Sequence, residues 1–281
     1  MSALEDELGD IVGKARKGLG FTPDQLAQMT NLSARDIESV EAYRLTPSDD
    51  QLCKLADALS LDAAKLTQIA SGSWSPAPQV PFSDPLIVES IQTLHGKYPE
   101  NCYLIGCSKS KLAAIVDPGG EVEEINSRLT ELGLTLDLIL VTHAHGDHIG
   151  GVKQLASDWH SVRLMNHQLE RDSIMRGLPH TWEPAQEKVS THLGDLTITP
   201  LFTPGHSPGS TCYRINGLYF VGDTLFAGSI GRPAGHGVYR QMLNDIQTKL
   251  LSLPDETVLF PGHGPATTVA QEKAHNPFFH V

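Results

Sequence analysis

The 281-residue chain has little cysteine, a shortage of positive charge and no long apolar run. Its four cysteines, Cys53, Cys102, Cys107 and Cys212, form no C-x-x-C pair and are too sparse for a disulfide scaffold. That excludes a small stapled fold and predicts buried thiols in a reducing compartment. Lys and Arg number 21 against 33 Asp and Glu, a formal net charge of −12. Long-range electrostatics therefore oppose non-specific attraction to nucleic acid and to anionic membranes. No stretch approaches the roughly 18 apolar residues of a spanning helix. The opening residues, MSALEDELGD, are acidic and lack the apolar segment of a secretion signal. The expected location is the cytoplasm. What is present is ordinary globular composition, 40% hydrophobic and 19% charged, enough for a substantial core.

One stretch divides the chain. Residues 71–85, SGSWSPAPQVPFSDP, hold Pro76, Pro78, Pro81 and Pro85 among serines, which rules out a regular helix or a central strand. The expected organisation is a helical domain over 1–72, a Pro/Ser-rich linker over 73–85 and a second domain over 86–281. In the first block Leu4, Leu8, Ile11, Val12 and Ala15 recur at helical spacing. Thr22 is placed to cap a helix with Pro23 at its first position, and Ser33 to cap the next. SDDQLCKLADALS and LDAAKLTQIA supply two more amphipathic helices. Five short helices with a tight turn between the second and third suggest a helix-turn-helix arrangement.

With its LAQMTNLSARDIESVE core and LCKLADALSLDAAKL tail, this block resembles the Cro/C1-type (XRE) repressor family over about 65 residues. The resemblance implies that the helix after the turn enters the major groove of DNA. That helix carries Asp36, Glu38 and Glu41 against a single cation, Arg35, the candidate DNA contact. Residues 1–72 hold 7 Lys/Arg and 12 Asp/Glu, a net of −5, where a phosphate-binding surface is basic. A local basic patch of Lys14, Arg16 and Lys17 is the one compensating feature. DNA binding is thus disfavoured, and docking or homodimerisation through the block is the other expectation.

After the linker the pattern changes. LIVESIQTL, NCYLIGC, KLAAIVD, LDLILVT, VRLMN, LTITPLF, TCYRING, LYFVGD and TVLFPG read as strands, and EVEEINSRLTELG and DIQTKLLSL as helices. The mix predicts an α/β domain of two sheets with helices outside. Four segments place His or Asp just past an apolar run: LILVTHAHGDHIGG with His143, His145, Asp147 and His148; LFTPGHSPGS with His206; LYFVGDTLF with Asp223; and VLFPGHGPATT with His263. Each strand ends, Gly or Pro turns the chain, and a metal-ligating side chain emerges at the same kind of edge. Five imidazoles and two carboxylates exceed what one tetrahedral ion uses, so two divalent metals are expected.

The set H-x-H-x-D-H, then PGH, GD and PGHG, resembles the metallo-β-lactamase superfamily over about residues 85–281. The resemblance implies an αββα sandwich with the site at one edge of the sheets. It assigns His143, His145 and His206 to one metal and Asp147, His148 and His263 to the other. Asp223 bridges them, and Asp117 stands behind the ligands. Asp147 and Asp223 are the candidate catalytic carboxylates. Zinc is the first expectation, with iron and manganese accepted by the same donors.

The chemistry implied is hydrolysis by a hydroxide formed at neutral pH between the cations. GDTLFAGSIGR and PGHGPATTVAQEKAHNPF resemble the short glyoxalase II-like hydrolases, which act on thioesters such as hydroxyacylglutathione. The chain stops 18 residues after His263, without the helical extension that grips glutathione in longer members, so recognition of the thiol portion is expected from elsewhere. The related pattern G-R-[T/S]-D-F is replaced by GRPAGHGVY, which makes Arg232 and the loop residue His236 candidate substrate contacts. Two alternatives remain: a mononuclear-iron persulfide dioxygenase, and a DNA-binding regulator whose metallo-domain senses or degrades a small effector. β-Lactam hydrolysis is disfavoured because the common two-zinc lactamases carry Cys where Asp223 stands.

Overall fold

The computed structural model describes residues 4–78, 84–95, 98–175, 178 and 181–280. Residues 79–83 of the expected linker lie outside them. The chain divides into two compact units. One comprises Met1–Pro78, Leu225–Val258 and Pro265–Val281; the other comprises Gln79–Thr224 and Leu259–Gly264. The helical block therefore shares its unit with two later stretches of the chain.

That block has five helices: α1 (Leu8–Gly18), α2 (Pro23–Ala27), α3 (Ala34–Glu41), α4 (Asp49–Leu59) and α5 (Ala63–Ala70). Thr22, Ser33 and Ser48 each cap the following helix through a capping box, which stabilises each start by about 1 kcal/mol. The residues between α2 and α3 bury Leu32, and Ile11, Val12, Leu26, Ile37, Leu55 and Leu66 form the interior. Arg35 is exposed at the second position of α3. The expected basic patch does not form. Lys14 is buried and ion-paired with buried Asp6, and Arg16 donates to both oxygens of Glu41 at 2.5 and 2.8 Å. A charge removed from water needs such partners, so these cations are consumed inside the fold, and Lys17 alone of the three is exposed. Cys53 is exposed, against expectation, because the buried face of α4 is taken by Leu52, Leu55, Ala56 and Leu59; the other three cysteines are buried thiols.

The second unit begins with a sheet ordered β1-β2-β3-β4-β5-β6. Its strands are β1 (Leu86–His95), β2 (Tyr98–Cys107), β3 (Leu112–Val116), β4 (Thr135–Leu140), β5 (Arg163–Asn166) and β6 (Trp182–Pro184). Helices α6 (Val122–Glu131), α7 (Gly146–Ile149), α8 (Val152–Asp158) and α9 (Arg171–Met175) fall between β3 and β6. Strand alternation divides the side chains. Cys102, Leu104, Ala113, Ile115, Ile139 and Val141 pack with Val122, Ile125, Leu129 and Leu155 of the helices. Tyr103, on the alternate face of β2, meets the second sheet.

That sheet contains β7 (Thr191–Leu193), β8 (Leu196–Phe202), β9 (Thr211–Ile215) and β10 (Leu218–Gly222). The chain then forms the hairpin β11 (Leu225–Phe226) and β12 (Ser229–Ile230), followed by α10 (His236–Asp245). Next come β13 (Val258–Pro261), β14 (Thr267–Thr268) and α11 (Val269–His275). Within the second unit the order is β13-β10-β9-β8-β7. Tyr103 meets Phe220 and Phe260 edge-on at 5.1 and 5.5 Å, and Phe220 stacks on Phe260 at 4.9 Å. Buried Tyr213 donates to the Val141 carbonyl at 3.0 Å, joining the two sheets near the site. The αββα expectation is thus met by sheet on sheet, with helices on the first sheet's far face. Among the described residues no helix is long and apolar enough to cross a membrane.

His236 opens α10 instead of lying in a loop, because Tyr239 and Met242 supply a buried face from that point on. Glu272 of α11 is fully buried, accepting from Gly228 N, Thr267 Oγ1 and Asn276 Nδ2. Burial pushes its carboxyl from 4.5 up to about 7. The folded chain therefore holds this proton more tightly than the unfolded chain does. Its stabilisation is fully present below about pH 4.5 and is lost as pH rises through about 7, a change of about 3 kcal/mol. Unfolding free energies measured from pH 5 to 8 should show this loss, and Glu272→Gln should remove it. An unchanged slope in that variant would refute the assignment.

Candidate metal centre

Direction of the strands brings the ligand segments together. β4 runs parallel to β3, and β13 runs parallel to β10. β8 and β10 are each antiparallel to β9 and so parallel to one another. Asp117, the 143–148 segment, His206, Asp223 and His263 all follow the carboxyl ends of these strands, where α/β folds collect ligands.

Three imidazoles form the first group. His206 Nε2 lies 2.9 Å from His145 Nδ1 and 3.2 Å from His143 Nε2, and the latter two nitrogens are 3.0 Å apart. Each ring nitrogen offers one N–H or one lone pair, so hydrogen bonding satisfies at most one edge of this triangle. A tetrahedral zinc with bonds of about 2.05 Å sets its ligand nitrogens about 3.3 Å apart, close to the spacing seen. Asp147, His148 and His263 form the second group. His263 Nε2 lies 3.4 Å from Asp147 Oδ2, and His148 Nε2 lies 4.0 Å from the same oxygen. Asp223 stands between the groups. Its Oδ2 is 3.4 Å from His206 Nε2 and 3.7 Å from His263 Nε2, and its Oδ1 is 3.4 Å from His148 Nε2.

The inner atoms are held from behind. His148 Nδ1 donates to Asp117 Oδ2 at 3.0 Å and His263 Nδ1 to the Pro99 carbonyl at 2.7 Å, which turns each Nε2 lone pair inward. Asp117 also accepts from Thr142 N and Thr142 Oγ1, at 2.7 and 2.6 Å. These bonds hold it at a φ of 50°, a left-handed conformation costly for a residue with a Cβ. His148 Nε2 and Asp223 Oδ1 are buried without a hydrogen-bond partner, a cost that a cation between them removes. The neighbouring His263 imidazole lowers Asp147 to about 2, so this carboxylate is ionised. Burial works against the Asp223 charge, but His148 outweighs it and holds the carboxyl well below its usual range. Burial, reinforced by neighbouring His148, pushes His143 well down, toward the neutral ligand form.

Three contributors carry no motif. Thr142 orients Asp117. Glu100, a buried carboxylate inside β2, has Oε1 3.6 Å from His148 Nδ1 and accepts from Thr93 Oγ1 at 2.5 Å. A charged residue at the head of the apolar run of β2 was its signal in the sequence. Glu170 accepts from Ser207 Oγ and Gly209 N, both at 2.7 Å, and from Ala144 N at 3.2 Å. It thereby ties the His143–His145 segment to the His206 loop. Glu170→Ala should weaken metal binding about 10- to 100-fold, read by chelator competition. Wild-type affinity in that variant would remove the tie from the account.

The seven converging side chains and Asp117 all lie in one compact unit. Arg232 and His236 lie in the other. Arg232 lines a cavity of about 260 Å³ with Gly13, Lys14, Lys17 and Glu41, and the His236 Cβ lies about 3.5 Å from where a Cβ on Gly20 would stand.

Residues 95–263 match the family model described as the metallo-beta-lactamase superfamily. The chain is 41% identical over 182 residues to the "Probable metallo-hydrolase YqgX" of Bacillus subtilis, covering 58% of this chain and 85% of that protein. It is 37% identical over 199 residues to the hydroxyacylglutathione hydrolase GloC of Haemophilus influenzae, covering 64% and 93%. Among solved structures, the BLEG-1 B3 metallo-beta-lactamase superposes with a TM-score of 0.58 at 35% identity, over 68% of this chain and 99% of that one. The matched stretch takes in every converging side chain from His143 to His263. The chain belongs to the metallo-beta-lactamase superfamily.

Proposed function

We propose that the chain is a two-metal hydrolase of thioesters of the hydroxyacylglutathione kind. The observation that carries this reading is Asp223, whose carboxylate faces both donor groups, Oδ2 toward His206 and His263 and Oδ1 toward His148. His143, His145 and His206 would hold one divalent cation, Asp147, His148 and His263 the second, and Asp223 both. Zinc suits the three-imidazole triangle, and iron or manganese suits the carboxylate-rich half equally well. Bound there, the cations supply Lewis acidity and a water of lowered pKa. The chain's own contribution is orientation: Asp117 and the Pro99 carbonyl fix two tautomers, and Glu170 and Thr142 fix the loops.

Among the described residues, each titratable side chain at the convergence point either is a donor or orients one. The site therefore suits a leaving group that departs without a proton, and a thiolate, with thiol pKa near about 8.5, is such a group. The likeness to GloC supports the same class. In this reading Arg232 and His236 contact substrate, and their replacement should raise KM more than it lowers kcat. The helical block is not assigned to DNA, since Lys14 and Arg16 are paired internally and Arg35 is the one cation on α3.

The test is a panel on purified protein: lactoylglutathione, a lactone, a β-lactam, and glutathione persulfide with oxygen uptake. Thioester hydrolysis well above the others is expected. Oxygen consumption with persulfide by a protein holding one iron would overturn the reading.

A further inference from the structure

The segment that leaves Asp223 is gripped by buried polar groups from two directions. One residue, Thr224, separates Asp223 from the β11–β12 hairpin. From α1, buried Lys14 donates to the Ile230 carbonyl at 2.7 Å and lies 4.8 Å over the Phe226 ring. Its other partner is the carboxylate of Asp6, itself buried. From α11, Asn276 Nδ2 donates to the Ser229 carbonyl at 2.9 Å, and Glu272 accepts from Gly228 N at 3.1 Å. The helical block is fixed to the same part of the chain elsewhere. A Cβ on Gly18 would stand 2.5 Å from the Tyr239 ring, so α1 and α10 approach at glycine contact. Lys65 Nζ donates to the Lys273 and Phe279 carbonyls at 2.7 and 2.5 Å. A buried ammonium must fill its donor sites, and Lys14 fills one with main chain of the hairpin. An ion pair near the amino terminus thus sets the place of a carbonyl 216 residues later.

We propose that Lys14 is a positioning residue: the Asp6–Lys14 pair, delivered by the helical block, fixes the β11–β12 hairpin and so the backbone leaving Asp223. The block is then a working part of the hydrolase and not an appended module. The catalytic consequence rests on the two-metal reading; the grip on the hairpin does not.

The test uses the full chain with Lys14→Met, Lys14→Arg and the double variant D6N/K14M, which leaves no buried charge without its partner. Amide exchange at Gly228 and Ile230 should speed up by about tenfold or more in K14M, with β3 and β4 unchanged. With lactoylglutathione, kcat should fall about tenfold while KM stays within about twofold, and K14R should restore most of it. Wild-type exchange at the hairpin in K14M or D6N/K14M would overturn the proposal. So would exchange that rises evenly over the whole chain in the double variant. A wild-type protein inactive on lactoylglutathione refutes the thioester reading alone, because the exchange measurement still decides the grip.

Discussion

Asp223→Ala is expected to fold, to lose one of two metal equivalents and to lose turnover by on the order of 10³-fold. Among the described residues, Asp223 is the carboxylate whose oxygens approach imidazoles of both donor groups. Without it, the two groups keep three donors each but share none. The electrostatic stabilisation available from a second cation is several kcal/mol, which at about 1.4 kcal/mol per decade gives that magnitude. The fold should survive, since the variant also removes a buried oxygen that lacks a hydrogen-bond partner. Metal analysis and kcat on the same sample check this. Two retained equivalents with near-normal turnover would contradict it.

Gly262→Ala should do comparable damage from a residue that binds nothing. A Cβ there would stand 2.5 Å from Asp223 Oδ1 and 2.6 Å from His148 Cε1. Real contacts of a Cβ do not come that close, so either the ligands or the loop must move. Gly262 sits between strand β13 and His263, and its amide and carbonyl are tied to Gly222 O at 3.0 Å and Asn101 N at 2.8 Å. The loop is thus the stiffer partner, and the ligands give way. Metal affinity should fall about 100-fold, the upper end for a disturbed ligand support, while the metal-free protein unfolds near the wild-type temperature. Normal metal affinity in the variant would contradict the geometry.

The seven converging side chains were legible because each follows a buried strand and a Gly or Pro turn, a pattern local in sequence. His143, His145, Asp147 and His148 also crowd one loop, which no ordinary surface segment requires. Glu170, Glu100 and Thr142 were not legible, because their roles depend on which loops come together in space. Glu170 sits 26 residues from Ala144 and 37 from Ser207, with nothing in QLERD to announce the contact. The longer strands were read correctly from their apolar runs, whereas β6, β7, β11, β12 and β14, of two or three residues each, are too short to show a pattern. The helical block shows the limit of composition: Lys14 and Arg16 looked like surface charge, and only the packing of α1 reveals Asp6 and Glu41 opposite them.

If seven side chains hold two cations, a metal titration of the full chain reads their number. Metal-free protein should regain thioesterase activity as zinc is added, reaching its maximum at two equivalents per chain. A plateau at one equivalent, or full activity with no metal, would contradict the account.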